Sequence, residues 1–199
     1  MEKMLISGWA LVFVSAAVML QAGAAEKETV EGNAGEEQAL NVGDVAPDVK
    51  LVKTNAEGEK EQVELKSFRG KKNVLLAFYP KAFTPGCTKQ MCGYRDDFSR
   101  FKNADTEVFA ISVEPQENSD RFKKEYKLPF NVVGDEERKL VDAFKIPVRD
   151  AGGNAYAKRS VFLVDKQGVI RHIDLDYNIE QDKQQIYDRI AALNKAETS

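Results

Sequence analysis

The chain has 199 residues, of which 43% are hydrophobic and 31% are charged, and this composition is typical of a globular protein. The length is sufficient for one well-filled domain. The formal net charge of −3 gives no broad basic surface, so we expect no nucleic-acid partner.

Residues 1–25 are interpreted as a signal peptide that does not belong to the fold. Lys3 supplies a positive charge, residues 5–20 form an uncharged apolar run, and residues 22–24 have the small-x-small pattern of a cleavage site. We predict cleavage after Ala24 or Ala25, export to the periplasm or another site outside the cytoplasm, and no stable membrane association afterwards. The alternative is an uncleaved membrane anchor, although the run is slightly short for a span of about 20 residues.

The rest of the chain is divided into a spacer and one domain. Residues 26–41 contain five glutamates and two glycines but few large apolar side chains, which predicts a disordered acidic spacer. A single domain is predicted over residues 42–197. It begins with a short strand at 49–52 and an edge strand at 61–65, followed by a turn at 67–71.

A strand over residues 73–79 lies at the centre of the predicted fold. Its near-continuous apolar run is typical of a strand that is buried on both faces. Pro80 ends the strand, because proline has no N–H to donate to the ladder. Thr84 is a candidate N-cap and Pro85 a candidate first helical residue, which places Cys87 over unpaired backbone N–H groups. This position favours a thiolate, because the helix dipole and the N–H donors stabilise an anion.

The helix that follows Pro85 is predicted to end near residues 103–105. Its apolar face repeats at intervals of three and four residues and is formed by Cys87, Met91, Tyr94, Phe98 and Phe101. Cys92 lies off this face. The periodicity therefore predicts that the two cysteines have different surroundings on one helix.

The remaining elements alternate between strands and helices. We predict strands at 107–113 and 130–133, helices at 117–126 and 136–144, a loop at 146–157, a β-hairpin made by 160–164 and 169–175, and a closing helix at 179–193. This order predicts an α/β fold in which a central mixed sheet carries helices on both faces.

The spacing of the two cysteines argues against a static cross-link. Two cysteines in an exported chain usually form a structural disulfide, and this alternative stays open. On an intact helix, however, residues five apart have Cα atoms about 8–9 Å from each other, beyond the ~7 Å limit for a disulfide. A disulfide between Cys87 and Cys92 therefore requires the helix to open, and this favours redox chemistry.

The sequence around Cys87 resembles the peroxiredoxins, in particular the peroxiredoxin Q or bacterioferritin-comigratory-protein subfamily. The specific pattern is Pro80-x-x-x-Thr84-x-x-Cys87, extended by Thr-Lys-Gln-Met-Cys-Gly-Tyr-Arg-Asp over residues 88–96. Residues 43–48 and 159–165 also match the subfamily, so the resemblance covers nearly the whole predicted domain. It implies a thioredoxin-like peroxiredoxin fold without a cofactor.

The resemblance also implies an activity and a role for each site residue. The protein would be a thioredoxin-dependent peroxidase of the atypical 2-Cys type that reduces hydrogen peroxide and organic hydroperoxides. Cys87 would be the peroxidatic nucleophile that becomes a sulfenic acid, and Cys92 would resolve it as an intramolecular disulfide. Thr84 would offer its hydroxyl to the thiolate and the peroxide, Pro80 would shield the sulfur from water, and Arg159 would hold the thiolate. The implied reductant is a thioredoxin-like or other thiol donor, and we expect a monomer.

Several of these residues have simpler interpretations. Thr84 is alternatively only a helix N-cap, and Arg159 is alternatively a solvated cation at a strand edge. Arg149 is a second candidate for the cation at the active site, because residues 146–158 match the subfamily poorly. His172, the only histidine, has no cysteine at ligand spacing and is interpreted as an ordinary side chain, not a metal ligand.

Two other functions remain as alternatives. An exported thiol–disulfide oxidoreductase has a similar fold but uses C-x-x-C, whereas four residues separate Cys87 from Cys92. The second alternative is a non-catalytic thioredoxin-fold binding domain held by a structural disulfide.

Overall fold

A computed structural model of the protein describes residues 39–54 and 59–197. The predicted signal peptide at 1–25 and nearly all of the predicted spacer at 26–41 lie outside these ranges. None of the helices in the described part of the chain is long and apolar enough to span a membrane.

Within the described ranges the chain forms nine strands, five α-helices and one short 3-10 helix at Leu65–Phe68. The strands are β1 (Lys50–Thr54), β2 (Lys60–Glu64), β3 (Asn73–Phe78), β4 (Thr106–Ser112), β5 (Asn131–Gly134), β6 (Val148–Ala151), β7 (Asn154–Ala157), β8 (Ser160–Val164) and β9 (Ile170–Asp174). The helices are α1 (Pro85–Asp96), α2 (Phe98–Asn103), α3 (Gln116–Glu125), α4 (Lys139–Ala143) and α5 (Lys183–Glu197).

Five strands form the central sheet in the order β5-β4-β3-β8-β9. β3 is parallel to β4 and antiparallel to β8, so the sheet is mixed, as predicted. All six residues of β3 are buried, which agrees with its near-continuous apolar sequence. The predicted central strand is therefore confirmed, and its carboxyl end leads directly towards Cys87.

The two faces of the sheet pack against different helices. Leu75 and Ala77 of β3 point to a core that contains buried residues of α1, α2, α3 and α5. Val74, Leu76 and Phe78 point to the opposite core, which includes residues of α4 and β1. Each fully buried aliphatic side chain contributes about 1.5–3 kcal/mol to the free energy of folding, so the cores on both faces stabilise the sheet. The expectation of helices on both faces is confirmed.

The predicted loop at 146–157 is wrong, because this segment forms an antiparallel hairpin of β6 and β7. Gly152 and Gly153 connect the strands with φ angles of +58° and +76°. Two consecutive positive φ values are typical of a two-residue type I′ turn, which glycine adopts without steric cost. Paired glycines are typical of loops and also of tight hairpin turns, and here they form the turn between β6 and β7.

The single helix predicted after Pro85 is also wrong, because it divides at Asp97 into α1 and α2. Asp97 has ψ of +15°, and its carboxylate accepts hydrogen bonds from Lys183 Nζ at 2.7 Å and the Tyr187 hydroxyl at 3.0 Å. Both donors belong to α5, so a tertiary contact lies at the break. Other helix boundaries differ less: α5 begins at Lys183 instead of 179, and α4 covers a shorter range than 136–144.

Candidate active site

Cys87 lies where the central strand passes into α1. The Tyr79 N–H donates to the Ile111 carbonyl at 2.9 Å, and the chain then leaves the sheet at Pro80. Thr84 has the extended backbone of an N-cap, Pro85 is the first residue of α1, and Cys87 is the third. The Cys87 side chain is only 1% exposed. The predicted position of the cysteine in the first helical turn is therefore observed.

The sulfur of Cys87 has a cationic neighbour, Arg159. Nη2 of Arg159 lies 3.2 Å from Cys87 Sγ, within hydrogen-bond distance for sulfur. A guanidinium is always charged and stabilises a thiolate more than a neutral thiol. Arg149, the other candidate cation, instead lies over the Tyr156 ring, with its guanidinium carbon 5.9 Å from the ring centroid.

Sequence reasoning missed Gln90, which orients the guanidinium of Arg159. Nη1 of Arg159 donates to Gln90 Oε1, while Gln90 Nε2 donates to the Tyr94 hydroxyl at 3.4 Å. Gln90 is 1% exposed and lies three residues after Cys87 on the buried side of α1. A polar residue at this spacing on an otherwise apolar face was the signal that could have identified it.

Thr84 occupies the N-cap position, but its hydroxyl does not cap α1. The hydroxyl donates to the Lys81 carbonyl at 3.0 Å. Its single proton is therefore engaged, while the oxygen keeps lone pairs that accept a hydrogen bond. The interpretation of Thr84 as only a side-chain N-cap does not agree with this geometry.

Pro80 borders a cavity of about 350 Å³ between the end of β3 and the β6–β7 hairpin. The cavity is lined by Pro80, Pro147, Val148, Arg149, Tyr156, Ala157, Lys158 and Arg159. Arg159 lines the cavity and its Nη2 contacts Cys87 Sγ, so one side chain connects the cavity to the sulfur. The apolar residues of the hairpin suit an organic group, and the guanidinium of Arg159 suits an oxygen atom.

Cys92 is half-buried on the same uninterrupted helix, and neither cysteine forms a disulfide. Five residues of α-helix keep their Cα atoms about 8–9 Å apart, beyond the range of a disulfide. Met91 and Tyr94, which flank Cys92 along α1, are fully buried. A disulfide between Cys87 and Cys92 therefore requires α1 to open.

The described residues contain no group of three or more His, Cys, Asp and Glu side chains arranged to bind a metal. His172 is 6% exposed on β9. Burial lowers the pKa of its imidazole, and the charge of Arg189 lowers this pKa further. These features describe a neutral histidine within the packed fold.

Sequence comparisons connect this geometry to a known family. The AhpC/TSA family matches residues 42–173 of this chain. Peroxiredoxin Bcp from Escherichia coli (strain K12) is 37% identical over 141 residues, which are 69% of this chain and 87% of that protein. Peroxiredoxin Bcp from Bacillus subtilis (strain 168) is 36% identical over 132 residues, covering 65% of this chain and 81% of that protein.

Solved structures with lower sequence identity share the fold. Peroxidoxin BcpB from Mycobacterium tuberculosis aligns with a TM-score of 0.67 at 22% identity, covering 77% of this chain and 98% of that one. Peroxiredoxin Q from Xanthomonas campestris aligns with a TM-score of 0.66 at 21% identity, covering 79% and 99%. With the sequence matches, these similarities lead to one conclusion: the chain belongs to the AhpC/TSA family, among the peroxiredoxins related to Bcp and peroxiredoxin Q.

Proposed function

We propose that this protein is a thiol peroxidase in which Cys87 reduces hydrogen peroxide and organic hydroperoxides. The observation that carries the proposal is the 3.2 Å contact between Arg159 Nη2 and the buried Cys87 sulfur at the start of α1. A C-x-x-C pair is absent, so the alternative of a thiol–disulfide oxidoreductase is not favoured.

In the first step the Cys87 thiolate attacks one peroxide oxygen, and the O–O bond breaks. The other oxygen leaves as hydroxide or alkoxide and takes up a proton from water, while Cys87 keeps the attacked O–H as a sulfenic acid. Negative charge moves from sulfur to oxygen, so donors aimed at the oxygens stabilise the transition state more than the ground state. Arg159 and the backbone N–H groups of the first helical turn are these donors. The Thr84 hydroxyl oxygen accepts a hydrogen bond from the O–H of the bound hydroperoxide, because the Thr84 proton is itself donated to the Lys81 carbonyl.

In the second step the Cys92 thiol condenses with the sulfenic acid, which releases water and forms a Cys87–Cys92 disulfide. The helical separation of the two residues requires the N-terminal half of α1 to unwind first. A thioredoxin-like or other thiol donor then reduces the disulfide by exchange. We propose that a monomer carries out the full cycle, because both cysteines belong to one helix.

The experiment that tests the proposal compares two cysteine variants in stopped-flow measurements of peroxide consumption. Cys87→Ser is expected to consume no peroxide, because it lacks the nucleophile. Cys92→Ser is expected to complete one oxidation and then stop with a sulfenic acid that a dimedone probe traps. Peroxide consumption by Cys87→Ser at the wild-type rate would reject the assignment of the nucleophile.

We further propose that the protein acts outside the cytoplasm. The proposal is supported by the positive, apolar and small-x-small regions of residues 1–25. Intact mass measurement after expression in a bacterium with a periplasm is expected to show a chain that begins after Ala24 or Ala25, recovered from the soluble periplasmic fraction. A full-length chain retained in the membrane fraction would support the anchor instead.

A further inference from the structure

The loop that precedes α1, residues 80–84, rests on a buried carboxylate that the sequence did not single out. Glu114 follows β4 and is 9% exposed. Its Oε2 accepts hydrogen bonds from the Ala82 N–H at 2.7 Å and from the Ser112 hydroxyl at 3.2 Å. A buried carboxylate needs such donors, because it has lost its contacts with water.

The hydrogen bond from Ala82 fixes the middle of the 80–84 loop. Ala82 is 3% exposed, so water does not replace a lost acceptor for its N–H. A buried backbone N–H without an acceptor is strongly unfavourable, and the chain moves to avoid one. Ala82 lies two residues after Pro80 and two before Thr84. Fixing the Ala82 N–H therefore fixes the course of the loop that carries both residues to the start of α1.

The same loop contains a conformation that requires support. Phe83 has φ of +61°, in the left-handed region that non-glycine residues seldom occupy. Its ring packs against Phe122 and Tyr126 of the α3 region, with centroids 5.1 and 6.2 Å away. A strained backbone of this kind persists only where its surroundings hold it from more than one side. The aromatic contact supplies one side and Glu114 the other.

Glu114 is itself held in a rigid place. Gly134, at the end of β5, approaches its backbone so closely that a Cβ on Gly134 would lie 2.5 Å from the Glu114 carbonyl oxygen. The Asp135 N–H also donates to the Ser112 carbonyl at 2.7 Å. The ends of two neighbouring strands, β4 and β5, therefore fix the backbone of Glu114, from which its carboxylate reaches the 80–84 loop.

The electrostatic effect of the Glu114 carboxylate on the site is distinct from its role as a hydrogen-bond acceptor. Burial raises the pKa of the Tyr79 hydroxyl, and the charges of Glu114 and Cys87 raise this pKa further. Glu114 and Cys87 therefore act on the same tyrosine. The observed contacts of the Glu114 carboxylate are hydrogen bonds that it accepts from Ala82 and Ser112.

We propose that Glu114 is a positioning residue for peroxide reduction, whose oxygen holds the Ala82 N–H and thereby fixes Pro80 and Thr84 in the loop that leads to Cys87. This inference rests on the proposed function of Cys87. The requirement is for a hydrogen-bond acceptor at this position and not for a negative charge.

The test compares Glu114→Gln, which keeps an acceptor, with Glu114→Ala, which removes it. Glu117→Ala, an exposed change of equal charge on α3, is the control. The second-order rate constant for the reaction with hydrogen peroxide is measured on the pH plateau, where the rate constant no longer increases with increasing pH. We expect Glu114→Ala to lose about 10- to 100-fold, because small misplacements near reacting atoms are costly. Glu114→Gln and Glu117→Ala are expected to stay within about threefold of wild type.

Two results would overturn the proposal: a Glu114→Ala rate equal to wild type, or a Glu114→Gln rate as low as that of Glu114→Ala. If Glu114→Ala does not fold, the proposal is tested instead by measuring the amide exchange rate of Ala82 in the folded Glu114→Gln variant. A slowly exchanging Ala82 amide supports the proposal, whereas rapid exchange together with full activity contradicts it. Inactive wild-type protein would instead show that the proposed function has failed, and the exchange measurement is independent of that outcome.

Discussion

At the residue scale, the surroundings of Cys87 combine a local and a distant contribution. The helix start comes from the residues immediately before Cys87, whereas Arg159 is 72 positions later in the chain. Strand register brings Arg159 close: Ser160 of β8 pairs with Phe78 of β3, so the residue before Ser160 reaches the loop that leaves β3. Arg149 lies on β6, outside the central sheet, and this register does not bring it to the sulfur.

The two arginines give a matched pair of variants. Arg159→Ala is expected to lower the rate constant for hydrogen peroxide by about 10²- to 10³-fold, because a charged donor to the transition state is lost. Arg149→Ala removes the same charge from the rim of the same cavity and is expected to stay within about threefold of wild type. Stopped-flow kinetics on both variants measure the difference. Equal losses would show that general electrostatics matter more than the contact with sulfur.

At the element scale, the two ends of α1 are held differently. The N-terminal half is joined to the 175–182 segment by an ion pair between Lys89 and Glu180, whose side chains are 62% and 67% exposed. Such exposed pairs contribute about 0–1 kcal/mol. The C-terminal end is held by Asp97, which binds both Lys183 and Tyr187 of α5. Because Asp97 ties the C-terminal end of α1 to α5, opening is expected to end before α2.

Amide hydrogen exchange is expected to report this opening. After oxidation to the disulfide, exchange should become faster over residues 87–93, because two cysteines at helical spacing cannot be bonded without unwinding. Exchange over α2, residues 98–103, should not change. Cys92→Ser treated with the same peroxide is the control, since it has no partner for a disulfide. Unchanged protection over 87–93 in oxidised wild type would contradict the unwinding step.

At the scale of the whole molecule, the only histidine of the sequence makes the stability of the fold depend on pH. His172 lies on β9 and is buried, and burial is the main cause of its lowered imidazole pKa. The folded protein therefore favours the neutral ring more than the unfolded chain does. Stability from this residue is complete above the ordinary pKa of about 6.5 and is lost as the pH falls towards the lower folded value.

We accordingly predict that the free energy of unfolding decreases as the pH is lowered from about 7.5 to 5, by at most about 1.4 kcal/mol per pH unit. His172→Gln should remove most of this slope, because no other histidine is present. Urea unfolding at several pH values measures both proteins. An unchanged slope in His172→Gln would show that another group is responsible.

Elements whose causes lie within a few neighbouring residues were predicted well. The apolar run of β3, the proline that ends it and the helix start around Cys87 all depend on local backbone chemistry. The division at Asp97 was missed, because its partners lie about 90 residues away on α5. The β6–β7 hairpin was missed for a different reason: its glycine pair fits both a loop and a tight turn.

Local sequence was sufficient to place a cysteine in the first turn of a helix after a buried strand, with a second cysteine five residues later. Periodicity, capping and proline effects are short-range, so the neighbouring residues suffice to specify them. Three contacts emerge from the folded arrangement alone: Arg159 reaches the sulfur, Gln90 orients Arg159, and Glu114 binds the Ala82 N–H. These contacts join residues from separate strands and helices, and their formation depends on the register and packing of the sheet, which spacing along the chain does not contain.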